Sequence, residues 1–428
     1  MENFDDVLTK VGGCGRFQIW LFLIAEYGLN LSAQPSSLFM MFGAASPTWH
    51  CADARMHNNT LVHSKNNNNT TTTQCQLLNQ CDTVHFHEQL NSVVTEFRLL
   101  CDRSWIGEFV TSMTVLGVLI GAIAFGQCAE LIGRRWSMVA AQTMTVFFGI
   151  AASFAPSWPI LLVLLLLCCS GTGGVLNMAF VLTQEFLTPK FRIFFALHGV
   201  SAGMVWFAFL QWAFADWRRI LFWANVAALA PLMIFIPTSY ESARWLYEHG
   251  HVHRAQRVID RVARINGAAP IRLASLPERE QHRRAPRKHS YHHLCHTTQL
   301  TKHLIAMLIS WFACSHVTYG LIFNIKSLPG NRYTNAALFG LLNFIASAST
   351  LVTNRCMGRR AQHQLSIWSM AVCLFVVVIA YAWLDGVSLV APYRDAIITY
   401  TALFGLCMAG PGWIIFYLYS VELFPTVV

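Results

Sequence analysis

The chain has 428 residues, 55% of them hydrophobic and only 12% charged, with a mean hydropathy of +0.44. A soluble domain of this size needs far more charge to cover its surface, so the composition excludes one. The formal net charge of +9 does not mark a nucleic-acid binder either; it sits in the connections between apolar segments, where it sets topology and meets anionic lipid headgroups.

The first sixteen residues are polar, and the apolar run behind them is too long for the core of a cleavable signal peptide. At about 20 residues per crossing, spans are predicted at 17–42, 106–126, 136–155, 160–182, 193–213, 220–238, 303–325, 335–353, 364–384 and 396–419, ten in all. The connection at 156–159, PSWP, predicts a tight helical hairpin. Trp20, Trp105, Trp136, Trp158, Trp217, Tyr333 and Tyr393 stand near span ends, as an interfacial aromatic belt does. With the N-terminus inside, 21 Lys and Arg fall on the cytoplasmic side and 9 outside, so the positive-inside rule sets that orientation.

Two long connections result. The outer one, about 45–104, carries glycosylation sequons at Asn58, Asn68 and Asn69 within an Asn/Thr-rich stretch. It also holds Cys51, Cys75, Cys81 and Cys101. In an oxidising compartment four cysteines form two disulfides, with three connectivities open; free thiols or a metal site are the alternatives. The other nine cysteines read as packing residues or reduced thiols.

The inner connection, 239–302, has 12 Lys/Arg against 5 Asp/Glu. Arg254, Arg257, Arg261 and Arg264 share one helical face, and Val258, Ile259, Val262 and Ile265 much of the other. Such a helix lies along the inner leaflet or packs on the cytoplasmic rim of the bundle; both readings are open. Eight histidines in this loop, among them His292, His293 and His296, show no repeated ligand spacing, so no metal or cofactor is expected.

Between the second and third spans lies GQCAELIGRR, 126–135. Its glycines let two helices approach, Glu130 can neutralise a guanidinium, and Arg134 and Arg135 keep the turn cytoplasmic. Similar features recur. Glu185 ends the fourth span with Arg192 seven residues on, and Glu422 ends the tenth; Gly133–Arg134–Arg135 is echoed by Gly358–Arg359–Arg360. The offsets of 237 and 225 suggest two related halves. Acid and arginine pairs at helix ends can gate alternating access by forming in one state and breaking in another. The plainer reading is that these charges only mark topology.

Within the spans, an unpaired Glu26 in hydrocarbon costs at least about 2.5 kcal/mol, so it is expected to face a cavity, pair or be protonated. As a cavity anion it favours a cationic or zwitterionic ligand. His198 and His316 are candidate proton partners or packing histidines. Gly171, Gly173 and Gly174 lie inside a span, where glycines serve close packing rather than phosphate binding. No nucleophile–base motif is present, and an enzyme is not expected.

The 126–135 turn, Glu185 to Arg192, ESARWL at 241–246 and YSVELFPTVV at 419–428 resemble the major facilitator superfamily. With FDDVL at 4–8, GRFQ at 15–18 and TEFRLLCD at 95–102, the chain is more closely similar to solute carrier family 22, the organic cation, carnitine and organic anion transporters. The resemblance implies an all-α membrane protein of the major facilitator fold. Its N-terminal six-helix half is 17–238, following a cytoplasmic stretch 1–16. A basic loop 239–302 and an incomplete four-helix half 303–428 complete the layout. It implies a multi-pass plasma-membrane glycoprotein carrying small organic ions, cations or zwitterions above all, with a non-transporting receptor as the alternative. Glu241 and Arg244 join the expected gate residues. Trp311 and Tyr319 match positions similar to the family's aromatic cage wall, with Phe180 and Trp212 as partners; ordinary helix packing is the other reading of each ring.

The sequence departs from the family pattern at several places. The family's last two helices are not in these 428 residues. Asn343 stands where cation-handling relatives often have glutamate, Leu406 where many have lysine, and Arg355 where the repeat would put an acid. Monomer and dimer are equally compatible with the sequence.

Overall fold

The structure is a computed structural model. It describes residues 4–45, 49–51, 84–86, 91–197, 199–273, 298–325, 328, 332–383 and 391–423. Among them, eight helical segments are long and apolar enough to cross a membrane. Six of them are α6 (Trp105–Ile132), α7 (Arg134–Ser153), α8 (Trp158–Phe186), α14 (Thr298–Asn324), α15 (Arg332–Cys356) and α16 (Arg359–Trp383). The seventh is α17 (Ala391–Leu423), and the eighth joins α10 (Trp217–Ala227) to α11 (Leu229–Thr238) through Ala228.

The first and fifth expected spans are interrupted. The first runs as α2 (Arg16–Phe22), a π-helical turn Leu23–Gly28, α3 (Asn30–Leu38) and α4 (Met40–Gly43). Pro35, inside α3, has no N–H to donate. The fifth is a 3₁₀ segment Arg192–Leu197 followed by α9 (Val200–Ala213). At Gly199 a Cβ would overlap the carbonyl of Glu26, so the two interrupted segments touch where both are irregular. Tyr27 Oη donates to Leu197 O at the same level.

The remaining elements lie at the bundle ends. Helix α1 (Phe4–Lys10), α12 (Ala243–Glu248) and α13 (Val252–Asn266) meet at one end. At the other are α5 (Val93–Glu96) and a hairpin of β1 (Trp49–Cys51) with β2 (Val84–Phe86), antiparallel, Trp49 facing Phe86. Among the described residues, that hairpin is the departure from a helical architecture.

Small residues set the closest helix contacts. On α6, Gly117 and Gly121 lie against the backbone of Leu166 and Ser170 of α8. From α8, Gly171 meets Ala141 and Thr145 of α7, and Gly173 meets Val118 of α6. In lipid there is no hydrophobic drive between helices, so this backbone-to-backbone packing carries the association. Gly126 faces open space instead, so only the far end of the 126–135 turn uses its glycine for contact. Phe147, Phe312 and Phe375 stand exposed on outer faces. Inside, Gln142 Nε2 donates to Ser32 Oγ at 2.8 Å, and Asn225 Nδ2 donates to the carbonyl of Leu221 at 2.8 Å. Apolar groups face outward, and these two amide nitrogens find partners inside, as a bilayer solvent favours, while the amide oxygens of Gln142 and Asn225 have none.

Phe17, Phe186, Phe235 and Ile259 pack together at the end that carries α1 and α13. Phe39, Val93, Leu99 and Trp217 do so at the opposite end. A third cluster, with Met41, Phe207, Phe339 and Leu406, joins α9 to α15 and α17. Helix α13 buries Ala255, Ile259 and Val262 against the first cluster and leaves its arginines outward, so it packs on the rim of the bundle.

Candidate functional site

Arg134 organises the charged turn. Gly133 adopts φ 102°, a left-handed conformation that ends α6 and lets α7 begin at the next residue. Arg134 then turns inward. Its Nη2 donates to Glu130 Oε1 at 2.7 Å, Nε to Glu185 Oε1 at 3.1 Å and Nη1 to the carbonyl of Ala129 at 2.9 Å. The α7 N-terminus is capped from afar: Glu241 Oε1 accepts from the backbone N–H of Arg134 at 2.7 Å and of Arg135 at 3.1 Å. It also accepts from Ser242 N at 3.1 Å. Burial pushes the Glu241 carboxyl above the usual carboxylate range, and these three N–H groups oppose that shift. Arg135 Nε donates to Ser239 Oγ at 3.1 Å and its Nη2 to the carbonyl of Ile236. Five of the expected gate residues, Glu130, Arg134, Arg135, Glu185 and Glu241, therefore form one network tying α6, α7, α8 and the end of α11.

Arg192 and Arg244 belong to a different pair set. Both reach Asp5 Oδ1 of α1, Arg192 at 3.6 Å, and Arg244 also lies over the Phe4 ring at 5.5 Å. The spacing of seven between Glu185 and Arg192 is therefore not a direct ion pair: Glu185 goes to Arg134 and Arg192 to Asp5. Asp5 lies in the 4–8 stretch, where no spacing in the sequence marks it as the shared partner of two distant arginines. Asn266 has no sequence signal either; it accepts from Phe17 N of α2 at 3.0 Å and donates to the carbonyl of Val11, between α1 and α2, at 3.0 Å, fastening α13 to that segment. Arg360 is exposed at the start of α16, next to a half-buried Arg359. The side chain of Glu422 lies outside the described residues.

The second assembly is interior. Glu26 sits in the π-helical turn, 2% exposed, and its Oε1 has no hydrogen-bond partner. It is close enough to Tyr417 of α17 to act on it electrostatically. Around Tyr417 the rings of Phe180 and Trp311 stand at 4.7 and 5.1 Å between centroids. Trp311 also meets Trp413 at 4.9 Å, and Trp413 meets Tyr319 at 6.4 Å. Trp413 Nε1 donates to Thr318 Oγ1 at 3.2 Å, which fixes its ring. Tyr417 thus connects the buried carboxyl of Glu26 to a cluster of aromatic rings, and ring faces attract organic cations.

Three of the expected aromatic residues thus converge, and two unforeseen ones, Trp413 and Tyr417, connect them. Their signal was present: Trp413, Phe416 and Tyr417 fall at i, i+3 and i+4 on one face of α17. Trp212 is not among them. It is 75% exposed and packs on Phe209, on the outer surface of α9. His316 is likewise exposed, beside Phe312, and His198 lies outside the described residues. Asn343 accepts from Ser201 Oγ at 2.7 Å and from Ser347 Oγ at 3.4 Å, joining α9 to α15.

At the far end, Arg218 forms an ion pair with Glu96 at 2.5 Å and donates to the carbonyls of Ser153 and Ala155 at 2.8 and 2.7 Å. Cys101 is disulfide-bonded. Cys75, Cys81 and the sequon residues Asn58, Asn68 and Asn69 lie outside the described residues, as does the side chain of Cys51. No group of three or more His, Cys, Asp or Glu suited to a metal occurs among the described residues.

The profile of the sugar (and other) transporter family matches residues 52–428. Solute carrier family 22 member 15-like of Xenopus laevis is 30% identical over 360 residues, 80% of this chain and 70% of its own. Organic anion transporter 3 of Homo sapiens is 24% identical over 459 residues, covering 100% of this chain and 81% of its own. Among solved structures, the xylose transporter XylE from E. coli in its partially occluded inward open conformation superposes with a TM-score of 0.57 at 15% identity, over 94% of this chain and 85% of that one. At that identity the likeness is one of fold, the major facilitator fold.

Proposed function

The chain belongs to the sugar (and other) transporter family and, within it, to solute carrier family 22; from that premise we propose that it carries organic cations or zwitterions of the carnitine type. As a member of that family it is a multi-pass membrane transporter of small organic substrates and not an enzyme. The narrower substrate class is our reading, and one observation supports it above the others. Glu26 is buried with Oε1 unmatched, and Tyr417, on which its charge acts, packs against the rings of Phe180 and Trp311. A quaternary ammonium would neutralise the carboxylate and rest against the ring faces.

Alternating access is the mechanism this reading entails. The segments 17–238 and 303–428 act as two related halves that rock about the ligand at the plasma membrane. The Arg134 network holds the cytoplasmic end of the first half as a rigid block. The Asp5 pairs with Arg192 and Arg244 are the contacts that could break during the transition. The loop 45–104 is extracellular and glycosylated at Asn58, Asn68 or Asn69, with disulfides among Cys51, Cys75, Cys81 and Cys101.

The test is uptake by cells expressing the chain, with labelled tetraethylammonium, labelled carnitine and a labelled organic anion in parallel. The cation and the zwitterion are expected to accumulate above an empty vector, and the anion is not. Selective accumulation of the anion would overturn the substrate class. Saturable surface binding of the cation without flux would make the protein a receptor instead.

A further inference from the structure

We propose that the cytoplasmic rim carries a separate site for a phosphomonoester anion, supplied by the headgroup of an anionic phospholipid. A cavity of about 290 Å³ opens between the end of α6, the start of α7 and the outward face of α13. Arg254, Arg257 and Arg261 line it from α13, and Arg135 lines it from α7. Steps of three and four residues bring the α13 guanidiniums to one edge of that helix. None of the three joins an acid in the ion pairs of the described residues. Arg261 lies over the Tyr240 ring at 5.5 Å, which orders it at the cavity wall.

One acid lines the same space, Glu241. Its Oε1 is taken by three backbone N–H groups, and its Oε2 lies against Gly133. Four arginines against one carboxylate leave the lining net positive. Guanidinium forks match phosphate oxygens, and several converging forks favour a dianion.

The opposite wall identifies the source of the phosphate. Ile132 and Trp136 also line the cavity and are 54% and 51% exposed, at the ends of helices that cross the membrane. A soluble anion gains nothing from that wall. A phospholipid does: its acyl chains run along Ile132 and Trp136 while its headgroup enters the arginines, at the depth where hydrocarbon gives way to water. The inference rests on this end of the bundle being cytoplasmic and not on which substrate is carried. A binding measurement therefore separates it from the transport reading.

The test measures binding of fluorescent phosphatidylinositol bisphosphate to the purified full chain in neutral detergent. Phosphatidylcholine and soluble inositol trisphosphate are the other arms. Saturable binding of the first is expected, weakened about 100-fold in Arg254→Gln/Arg257→Gln/Arg261→Gln, at roughly fivefold per basic residue near an anionic surface. Arg264→Gln, on the same helix but off the cavity, is expected to bind as the wild type does. Should the triple variant lose its thermal midpoint, the three single variants carry the test, each expected to weaken binding about fivefold. Undiminished binding by the folded variants, or equal binding of phosphatidylcholine, would overturn the site. Inositol trisphosphate binding as tightly as the lipid would overturn the lipid as its source.

Discussion

Ser201 on α9 donates its hydroxyl to Oδ1 of Asn343 on α15 at 2.7 Å, across 142 residues of sequence. Both side chains are buried, and Ser347 donates to the same oxygen at 3.4 Å. One amide oxygen therefore satisfies two hydroxyls where helices from the two parts of the chain touch. Asn343→Leu removes that acceptor and strands both donors, at a cost of about 1–3 kcal/mol. Asn343→Gln retains an acceptor and is expected to lose less. Thermal unfolding in detergent, followed by tryptophan fluorescence, checks the order; equal midpoints for the two variants would refute it.

Arg134 gives a second, sharper contrast. Its side chain is 8% exposed, and so are 15% of Glu185 and 60% of Glu130. An exposed partner is well screened and contributes little, whereas a buried charge left alone is expensive. Glu130→Gln is therefore expected to leave the thermal midpoint almost unchanged. Arg134→Ala leaves Glu185 buried without its cation and is expected to cost about 3–5 kcal/mol. Arg134→Lys keeps the charge but loses the fork that reaches Glu130, Glu185 and Ala129 together, and should fall between. A midpoint for Arg134→Ala equal to that of Glu130→Gln would mean the network has no structural role.

The two glycines of the 126–135 turn separate in the same way. Gly133 has φ 102°, and a Cβ there would meet the Glu241 carboxyl. Gly126 has nothing within 4 Å of where its Cβ would stand. Gly133→Ala is expected to destabilise by more than about 1 kcal/mol, through backbone strain and displacement of the cap on α7. Gly126→Ala is expected to be neutral or slightly stabilising, since alanine is the better helix former. Surface expression and detergent thermal stability of the pair check this.

Much of this architecture is legible in the chain because the bilayer imposes its own length on a span. The long helices therefore fall where mean hydropathy puts them, and Arg134 can be read as an anchor from its place between two such runs. Contacts made by partners distant in sequence are not legible. The seven-residue step from Glu185 to Arg192 looks like a local pair, yet the chain leaves its helix after Phe186 and turns before Arg192, which then meets Asp5. Trp212 reads as a cavity aromatic until the orientation of α9 is known; it is exposed and packs on Phe209. The non-helical Gly199 ahead of α9 is hidden too, because hydropathy continues across it; it meets the Glu26 carbonyl, a contact between residues 173 apart.

Glu26 and Tyr417 carry the last prediction, since one supplies charge and the other a ring to the same interior space. Replacing Glu26 by Gln keeps the volume and removes the charge. If a cation is held there, its uptake should fall at least about tenfold, the effect of losing roughly 1.4 kcal/mol of pairing. Tyr417→Leu keeps the apolar bulk and removes the π-face, worth about 0.5–2 kcal/mol for a desolvated cation, so KM should rise about 2- to 30-fold. Trp212→Leu, on the outer surface, should leave both kinetic parameters as they are. Initial-rate uptake of tetraethylammonium, normalised to surface protein, reads all three variants. Unchanged kinetics for Glu26→Gln alongside a raised KM for Trp212→Leu would move the ligand out of the bundle interior.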